Sequence, residues 1–131
     1  MKKFNLLLTV MLLVAFCAGA QADNVLYDDT HGQTAGNADW IPEGAYSEMV
    51  DMLKANNFKV ESLSKVTSGR TFTAELLKGY DAIILAEPNN PYSKAECDLI
   101  VDFVKNGGGL FIVGDHGNAD RDGDGWDAVP A

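Results

Sequence analysis

The segment from Gly109 to Asp127, GLFIVGDHGNADRDGDGWD, passes from an apolar stretch into a run of aspartates that contains one histidine. Carboxylates and an imidazole at this density can hold a metal ion, exchange protons with a substrate, or simply form a soluble turn. The side chains in this segment that could carry such chemistry are Asp115, His116, Asp120, Asp122 and Asp124.

The last three of these aspartates are followed by Gly125 and spell D-x-D-x-D-G. Alternate aspartates in a tight loop present their carboxylates to one centre, as in the first half of a helix–loop–helix calcium site. The twelfth position is Ala131 rather than a bidentate glutamate, and an apolar strand rather than a helix precedes the loop. We therefore expect Asp120, Asp122 and Asp124 to bind calcium in another loop geometry, with a plain surface turn as the alternative.

Comparable polar residues follow two other apolar runs. Asp28, Asp29 and His31 come at and after NVLYD, and Glu87 and Asn89 come after DAIILA. Apolar runs of this length, bounded by turn-forming residues, are typical of buried strands. The chemistry of these residues can combine only if the strands that carry them end at the same place.

Alternating periodicities predict the order β-α-β-α-β-α-β along the chain. This alternation indicates an α/β fold, a doubly wound (flavodoxin-like) three-layer sandwich with a parallel sheet of at least four strands. Ser93-x-x-Glu96 predicts a capping box at the third helix, and Gly107 predicts its end. The predicted strands are Asn24–Asp28, Lys59–Leu63, Asp81–Ala86 and Leu110–Val113. The other predicted helices are Ser47–Asn57 and Thr73–Lys78, and SKVTSGR is predicted as the loop between the second strand and the second helix.

In such a sheet, right-handed crossovers bring the carboxyl ends of all strands to one edge, where ligands bind beside the point at which the strand order reverses. The common order 2-1-3-4 makes the first, third and fourth strands neighbours. The opposing interpretation is that Asp and Asn favour turns for backbone reasons alone. The residues predicted to line a ligand crevice at this edge are Asp28, Asp29, His31, Glu87, Asn89, Asp115 and His116.

The first 22 residues read as a secretory signal peptide, because Lys2 and Lys3 precede an apolar run and Ala20-Gln21-Ala22 matches a cleavage site. This interpretation places residues 23–131 outside the cytoplasm, secreted or periplasmic, with no membrane segment after cleavage. A buried first helix, a membrane anchor, or a lipid anchor on Cys17 are the less favoured alternatives.

The net charge of the chain argues against polyanionic partners, that is, nucleic acid and anionic membranes. The formal net charge of the whole chain is −9, and without Lys2 and Lys3 the remaining residues carry −11. Such a surface repels nucleic acid and anionic lipid, whereas it tolerates cations. Cys97 is the one cysteine after residue 22, so no internal disulfide forms, and we expect this thiol to be buried beneath the first turn of its helix.

The stretch YDAIILAEPNNPYSKAECDLIVDFVKNGGGLFIVGDHG resembles the third strand, helix and fourth strand of the class I glutamine amidotransferase-like superfamily. It is most similar to a secreted branch related to trehalose-utilisation-type domains, for which DDTHGQTAGNADW and DHGNADRDGDGWD look like signature loops. The resemblance spans nearly all of residues 23–131 and implies the α/β fold above. Such domains normally continue with further strands, so the resemblance also implies a domain that is incomplete at its C-terminus.

The departure from that superfamily matters for function. Its active members carry a cysteine on the turn after the fourth strand, where this chain has Gly114-Asp115-His116-Gly117. Without a thiolate at this turn, glutamine hydrolysis by a Cys-His-acid arrangement is not available.

Two functions remain. The first is a non-catalytic binding domain that holds calcium and a small polar ligand such as a sugar. The second is a metal-dependent hydrolase, in which a His/Asp set holds Zn²⁺ or Mn²⁺ and lowers the pKa of a bound water. In the hydrolase, Asp28, His31, Asp115 and His116 would bind the metal, and Asp29 or Glu87 would be the general base.

Overall fold

The computed structural model of the protein describes residues 23–114. Helices separate successive strands along the chain, as predicted, but two short helices instead of one stand between the second and third strands. The strands are β1 (Asn24–Asp28), β2 (Lys59–Ser62), β3 (Ala82–Ala86) and β4 (Gly109–Val113), and the helices are α1 (Ser47–Ala55), α2 (Leu63–Val66), α3 (Ala74–Leu77) and α4 (Lys94–Lys105).

The four strands form one sheet in the order β2-β1-β3-β4, and every pair is parallel. In the middle of the sheet, Val25 of β1 is in register with Val60 on one side and Ala82 on the other. The α/β class, the parallel sheet and the predicted strand order are thereby confirmed. Strands β1 and β3 are neighbours, so the strand order reverses between them.

Two hydrophobic clusters lie on opposite faces of this sheet, as the alternation of side chains along each strand requires. On one face Leu26 and Ile83 pack with residues of α2, α3 and α4. On the other face Tyr27 and Ile84 pack with Val50 of α1. Helices that cover both faces are compatible with the doubly wound, three-layer arrangement.

Two local expectations are wrong. Leu63 begins helix α2 instead of ending β2, and SKVTSGR therefore starts as a helical turn rather than a loop. Cys97 is exposed rather than buried. The buried positions of α4 are Glu96 and Ile100, one face of the helix at i and i+4, and Cys97 lies next to that face rather than on it.

Helix α4 has the predicted ends. Ser93 and Glu96 form the capping box, and Gly107 takes a left-handed backbone (φ 98°) after the last turn. Strand β4, which follows, lies at an edge of the sheet among residues 23–114 and exposes Leu110, Phe111 and Ile112. Across the same residues, none of the helices has the length and apolar character needed to span a bilayer.

Candidate functional site

Asp28 ends β1 at the carboxyl edge of the sheet, and its carboxylate is fully buried. Its oxygens accept hydrogen bonds from the Thr30 backbone N–H at 3.0 Å, from the Thr30 hydroxyl at 2.9 Å and from the Gln33 amide at 3.2 Å. The Tyr92 hydroxyl donates a further bond to Oδ2 at 2.6 Å. A buried carboxylate requires this number of donors, because an unpaired charge away from water is costly.

His31 lies between two carboxylates. Its Nδ1 is 2.9 Å from Oδ2 of Asp28, and its Nε2 is 3.3 Å from Oε1 of Glu96. Only 8% of His31 is exposed. Because each ring nitrogen faces a carboxylate oxygen, the doubly protonated imidazolium, which donates from both nitrogens, fits this arrangement.

Glu96 belongs to the first turn of α4 and joins the helix to this cluster. Its Oε1 accepts a bond from the Thr71 hydroxyl at 2.6 Å, and its Oε2 accepts a bond from the Ser93 hydroxyl at 2.8 Å. The Tyr92 ring lies over His31 with centroids 4.1 Å apart, and Phe72 flanks the imidazole with its ring nearly parallel. We call Asp28, His31, Tyr92 and Glu96 the His31 cluster.

The charges within this cluster support one another. Burial alone would raise the pKa of Asp28, but the His31 hydrogen bond and charge and the Tyr92 hydrogen bond outweigh it and hold that pKa below its ordinary value. Burial alone would lower the pKa of His31, but Asp28 and then Glu96 raise it. Burial likewise opposes the lowered pKa of Glu96, which the Thr71 and Ser93 hydrogen bonds and the His31 charge produce.

The cluster also joins the loops that follow β1 and β3. The His31 carbonyl accepts hydrogen bonds from the backbone N–H groups of Asn89 at 2.8 Å and Asn90 at 3.0 Å, and the Asn89 amide donates to the Gly32 carbonyl at 2.8 Å. Gly32 has φ +78°, and a Cβ on it would lie 2.9 Å from Asn89 Cβ. The two loops are therefore packed backbone to backbone at the point where the strand order reverses.

Two predicted site residues point elsewhere. Asp29 accepts bonds from the backbone N–H and hydroxyl of Ser64, so it fixes the start of α2. Glu87, directly after β3, accepts a bond from the Tyr46 hydroxyl at 2.7 Å on the α1 side of the sheet. Its backbone is left-handed (φ 44°), and its N–H donates to the Val113 carbonyl at 2.9 Å. A non-glycine residue in this conformation is strained, which is a common feature of functional edges.

The predicted set is thus divided. Asp28, His31 and Asn89 come together, whereas Asp29 and Glu87 each lie apart from them. The residues Asp115, His116, Asp120, Asp122 and Asp124 lie outside the described residues. From residue 23 to residue 114, no group of three His, Cys, Asp or Glu side chains is arranged to hold a metal ion.

The sequence interpretation missed Tyr92 and Glu96 as members of this cluster. A signal for Glu96 was present, because Glu96, Ile100 and Phe103 recur at helical spacing and so share one face of α4. A carboxylate on a buried helical face predicts a cationic or hydrogen-bonding partner. Tyr92 and Gln33 carry no comparable signal in the sequence.

The comparisons with known proteins place the chain in no family. No family model, no curated protein and no solved structure matches it.

Proposed function

We propose that residues 23–131 form a non-catalytic binding domain, which holds a small polar ligand at the carboxyl edge of the sheet and calcium at Asp120, Asp122 and Asp124. The observation that carries this proposal is the saturation of the His31 cluster. A catalytic metal site needs neutral imidazole nitrogens as ligands and an open coordination position. In contrast, both ring nitrogens of His31 face carboxylates, and Asp28 accepts four hydrogen bonds from Thr30, Gln33 and Tyr92.

A binding function uses such a cluster differently. The hydrogen bonds of the cluster hold the loops after β1 and β3 together and need not break when a ligand binds. The edge is therefore organised before a ligand arrives. Preorganisation lowers the entropy that binding must offset. Glu87 supports this interpretation, because the Tyr46 hydroxyl donates to its half-buried carboxylate and its backbone N–H donates to the Val113 carbonyl, which fixes the residue at the end of β3.

The resemblance to the amidotransferase-like superfamily is part of the same proposal. The resemblance supports the α/β fold, and the absence of a cysteine from Gly114-Asp115-His116-Gly117 supports binding over glutamine hydrolysis. Export is proposed on the sequence pattern of residues 1–22. Cys97, the one cysteine after the leader, lies in the first turn of α4 and not on the turn that follows β4.

Metal content separates this proposal from the hydrolase alternative. The purified protein is analysed for bound metals and titrated calorimetrically with Ca²⁺, Zn²⁺ and Mn²⁺, alongside Asp122→Asn, His116→Gln and the control Asp51→Asn on an exposed face of α1. We expect calcium binding that is lost in Asp122→Asn only. A transition metal lost in His116→Gln would favour the hydrolase, and no metal in any variant would remove the calcium part of the proposal.

Ligand binding is tested separately. Thermal unfolding is measured with a panel of neutral monosaccharides for the wild type, for Glu87→Gln and for the control Glu75→Gln, whose side chain is exposed on α3. We expect one or more sugars to stabilise the wild type and the control but not Glu87→Gln. Equal stabilisation of all three proteins would exclude Glu87 from the ligand contact, and no stabilisation would exclude neutral sugars as the ligand class.

A further inference from the structure

A groove lies at the opposite, amino edge of the sheet, between α3 and α4. Its volume is about 580 Å³, within the range of roughly 300–1,000 Å³ typical of ligand sites. Neither the His31 cluster nor Glu87 lines it. The lining of this groove includes Leu77, Tyr80, Asp81, Leu99, Asp102 and Phe103.

The glycine run after α4 creates the floor of the groove. A Cβ on Gly108 would lie 2.2 Å from the Phe103 ring, so glycine is required for the ring to lie against the backbone. Phe103, Leu99 and Tyr80 are partly buried and pack against the core cluster that contains Leu77. These apolar side chains therefore line the groove beside its charged residues, and they remain partly accessible to solvent.

Glycine-rich turns often bind anions, but this one has no free donors for that role. The N–H groups of Gly107, Gly108 and Gly109 donate to the carbonyls of Val104, Phe103 and Asp81 at 3.0, 3.0 and 2.8 Å. An anion would need these donors, because anion sites of this kind are built from free backbone N–H groups. The glycines thus shape the groove and do not serve as a phosphate cradle.

The charge of the groove favours a cation instead. Asp81 and Asp102 line it, and one Asp81 oxygen is held by the Asn24 backbone N–H at 2.8 Å. Lys78 also lines the groove, but its ammonium is paired with Glu75. Two carboxylates beside aromatic and aliphatic walls match the chemistry of an arginine or lysine side chain, which has an apolar stem and a charged end.

We propose that the groove binds a peptide segment of another protein in which one arginine or lysine stands between apolar residues. The apolar residues lie on Leu99 and Phe103, and the basic group lies between Asp81 and Asp102. The strongly acidic surface of the chain adds to the attraction, since a negative field raises the encounter rate with basic partners.

The test uses a fluorescein-labelled peptide, acetyl-Ala-Leu-Arg-Phe-Leu-Ala-amide, and a twin with glutamine in place of arginine. Fluorescence anisotropy measures the binding of both to the wild type, Ala74→Phe, Asp102→Asn and Asp98→Asn. Ala74 is exposed and lines the groove, so the phenylalanine fills it without entering the core. Asp98 lies on α4, as Asp102 does, but it pairs with Lys94 and does not line the groove. Asp98→Asn is therefore the matched control for Asp102→Asn.

We expect the arginine peptide to bind the wild type and the Asp98→Asn control equally. Ala74→Phe should abolish binding, and Asp102→Asn should weaken it about three- to fivefold, as for an exposed ion pair. The glutamine peptide should bind the wild type more weakly. Equal affinity for both peptides, unchanged binding to Ala74→Phe, or no binding to the wild type would each overturn the proposal. A wild-type dimer in sedimentation that Ala74→Phe dissociates would also overturn it, because a second copy would then occupy the groove.

Discussion

The two edges of the sheet use ionisable residues in opposite ways. At the carboxyl edge, Asp28 and His31 are buried and each is bonded to several partners, so their charges hold loops together. At the amino edge, Asp81 and Asp102 are exposed and line an open groove. Residue types that suggest chemistry are therefore no guide to accessibility. At the edge that is richer in such residues, Asp28 and His31 are buried, whereas the carboxylates of Asp81 and Asp102 at the other edge are exposed.

Among the substitutions that test this comparison, Asp28→Asn should cause the largest loss in the free energy of unfolding. An asparagine has one carbonyl oxygen in place of a carboxylate, so it cannot accept all the bonds that Thr30, Gln33, Tyr92 and His31 donate. It also leaves His31 buried with one partner fewer. We expect a loss of about 3–5 kcal/mol in the free energy of unfolding, measured by urea denaturation.

The exposed carboxylate of Asp51, on α1, provides the matched control for that substitution. Asp51→Asn should change the free energy of unfolding by no more than about 0.5 kcal/mol. A similar loss in both variants would mean that the buried carboxylate of Asp28 contributes no more to the free energy of unfolding than an exposed surface carboxylate does.

A pair of glycines offers the next comparison between the edges. Gly32 at the carboxyl edge has φ +78° and two side chains within 3 Å of an added Cβ, whereas Gly107 at the amino edge has φ +98° and no atom within 4 Å. Gly32→Ala should cost about 2–3 kcal/mol, because backbone strain and a clash with Asn89 combine, and Gly107→Ala about 1 kcal/mol from strain alone. Equal losses in thermal or urea unfolding would contradict the packed loop pair.

The dependence of stability on pH should report the His31 cluster directly. The pKa of His31 is raised, so its contribution is complete below the ordinary value of 6.5 and is lost as the pH rises through the raised value. The pKa values of Asp28 and Glu96 are lowered, so their contribution is complete above 4.5 and is lost as the pH falls through the lowered values. The contribution of the cluster should therefore be greatest between pH 4.5 and 6.5.

A series of urea unfolding experiments from pH 4 to pH 9 measures this dependence. In His31→Gln the fall in stability above pH 6.5 should disappear, because glutamine does not titrate. A wild-type protein that becomes more stable as the pH rises from 6.5 to 9 would contradict the ionic form of the cluster.

The sequence predicted the fold well because its signals are local. The bounds of β1 were predicted to the residue and those of β3 and β4 to within one, since short apolar runs between turn formers define buried strands. Leu63 was misassigned because the alternation of KVESL fits a strand that includes Leu63 as well as it fits a strand that ends at Ser62. Whether Leu63 continues β2 or starts α2 depends on packing against β1, which a local pattern does not contain.

For the candidate site, only the position was predictable from the sequence. Strand order and parallel direction placed Asp28 and His31 at one edge with Asn89, as the structure shows. The saturation of Asp28 was not predictable, because Tyr92 lies 64 residues away in the sequence. The burial of Glu96 was readable from the face of α4, but its contact with His31 depends on how the helix sits against the sheet.

The smallest effect should come from Glu75→Gln, which removes the partner of Lys78 at the rim of the α3–α4 groove. The glutamate is 85% exposed, so water screens the pair and the free energy of unfolding should change by less than about 0.5 kcal/mol. The substitution still has a readout, because an unpaired Lys78 repels a basic peptide. We expect the arginine peptide to bind this variant slightly more weakly at low salt, and equally well at high salt, where such charges are screened. An affinity that is unchanged at low salt on loss of Glu75 would show that Lys78 does not face the bound peptide.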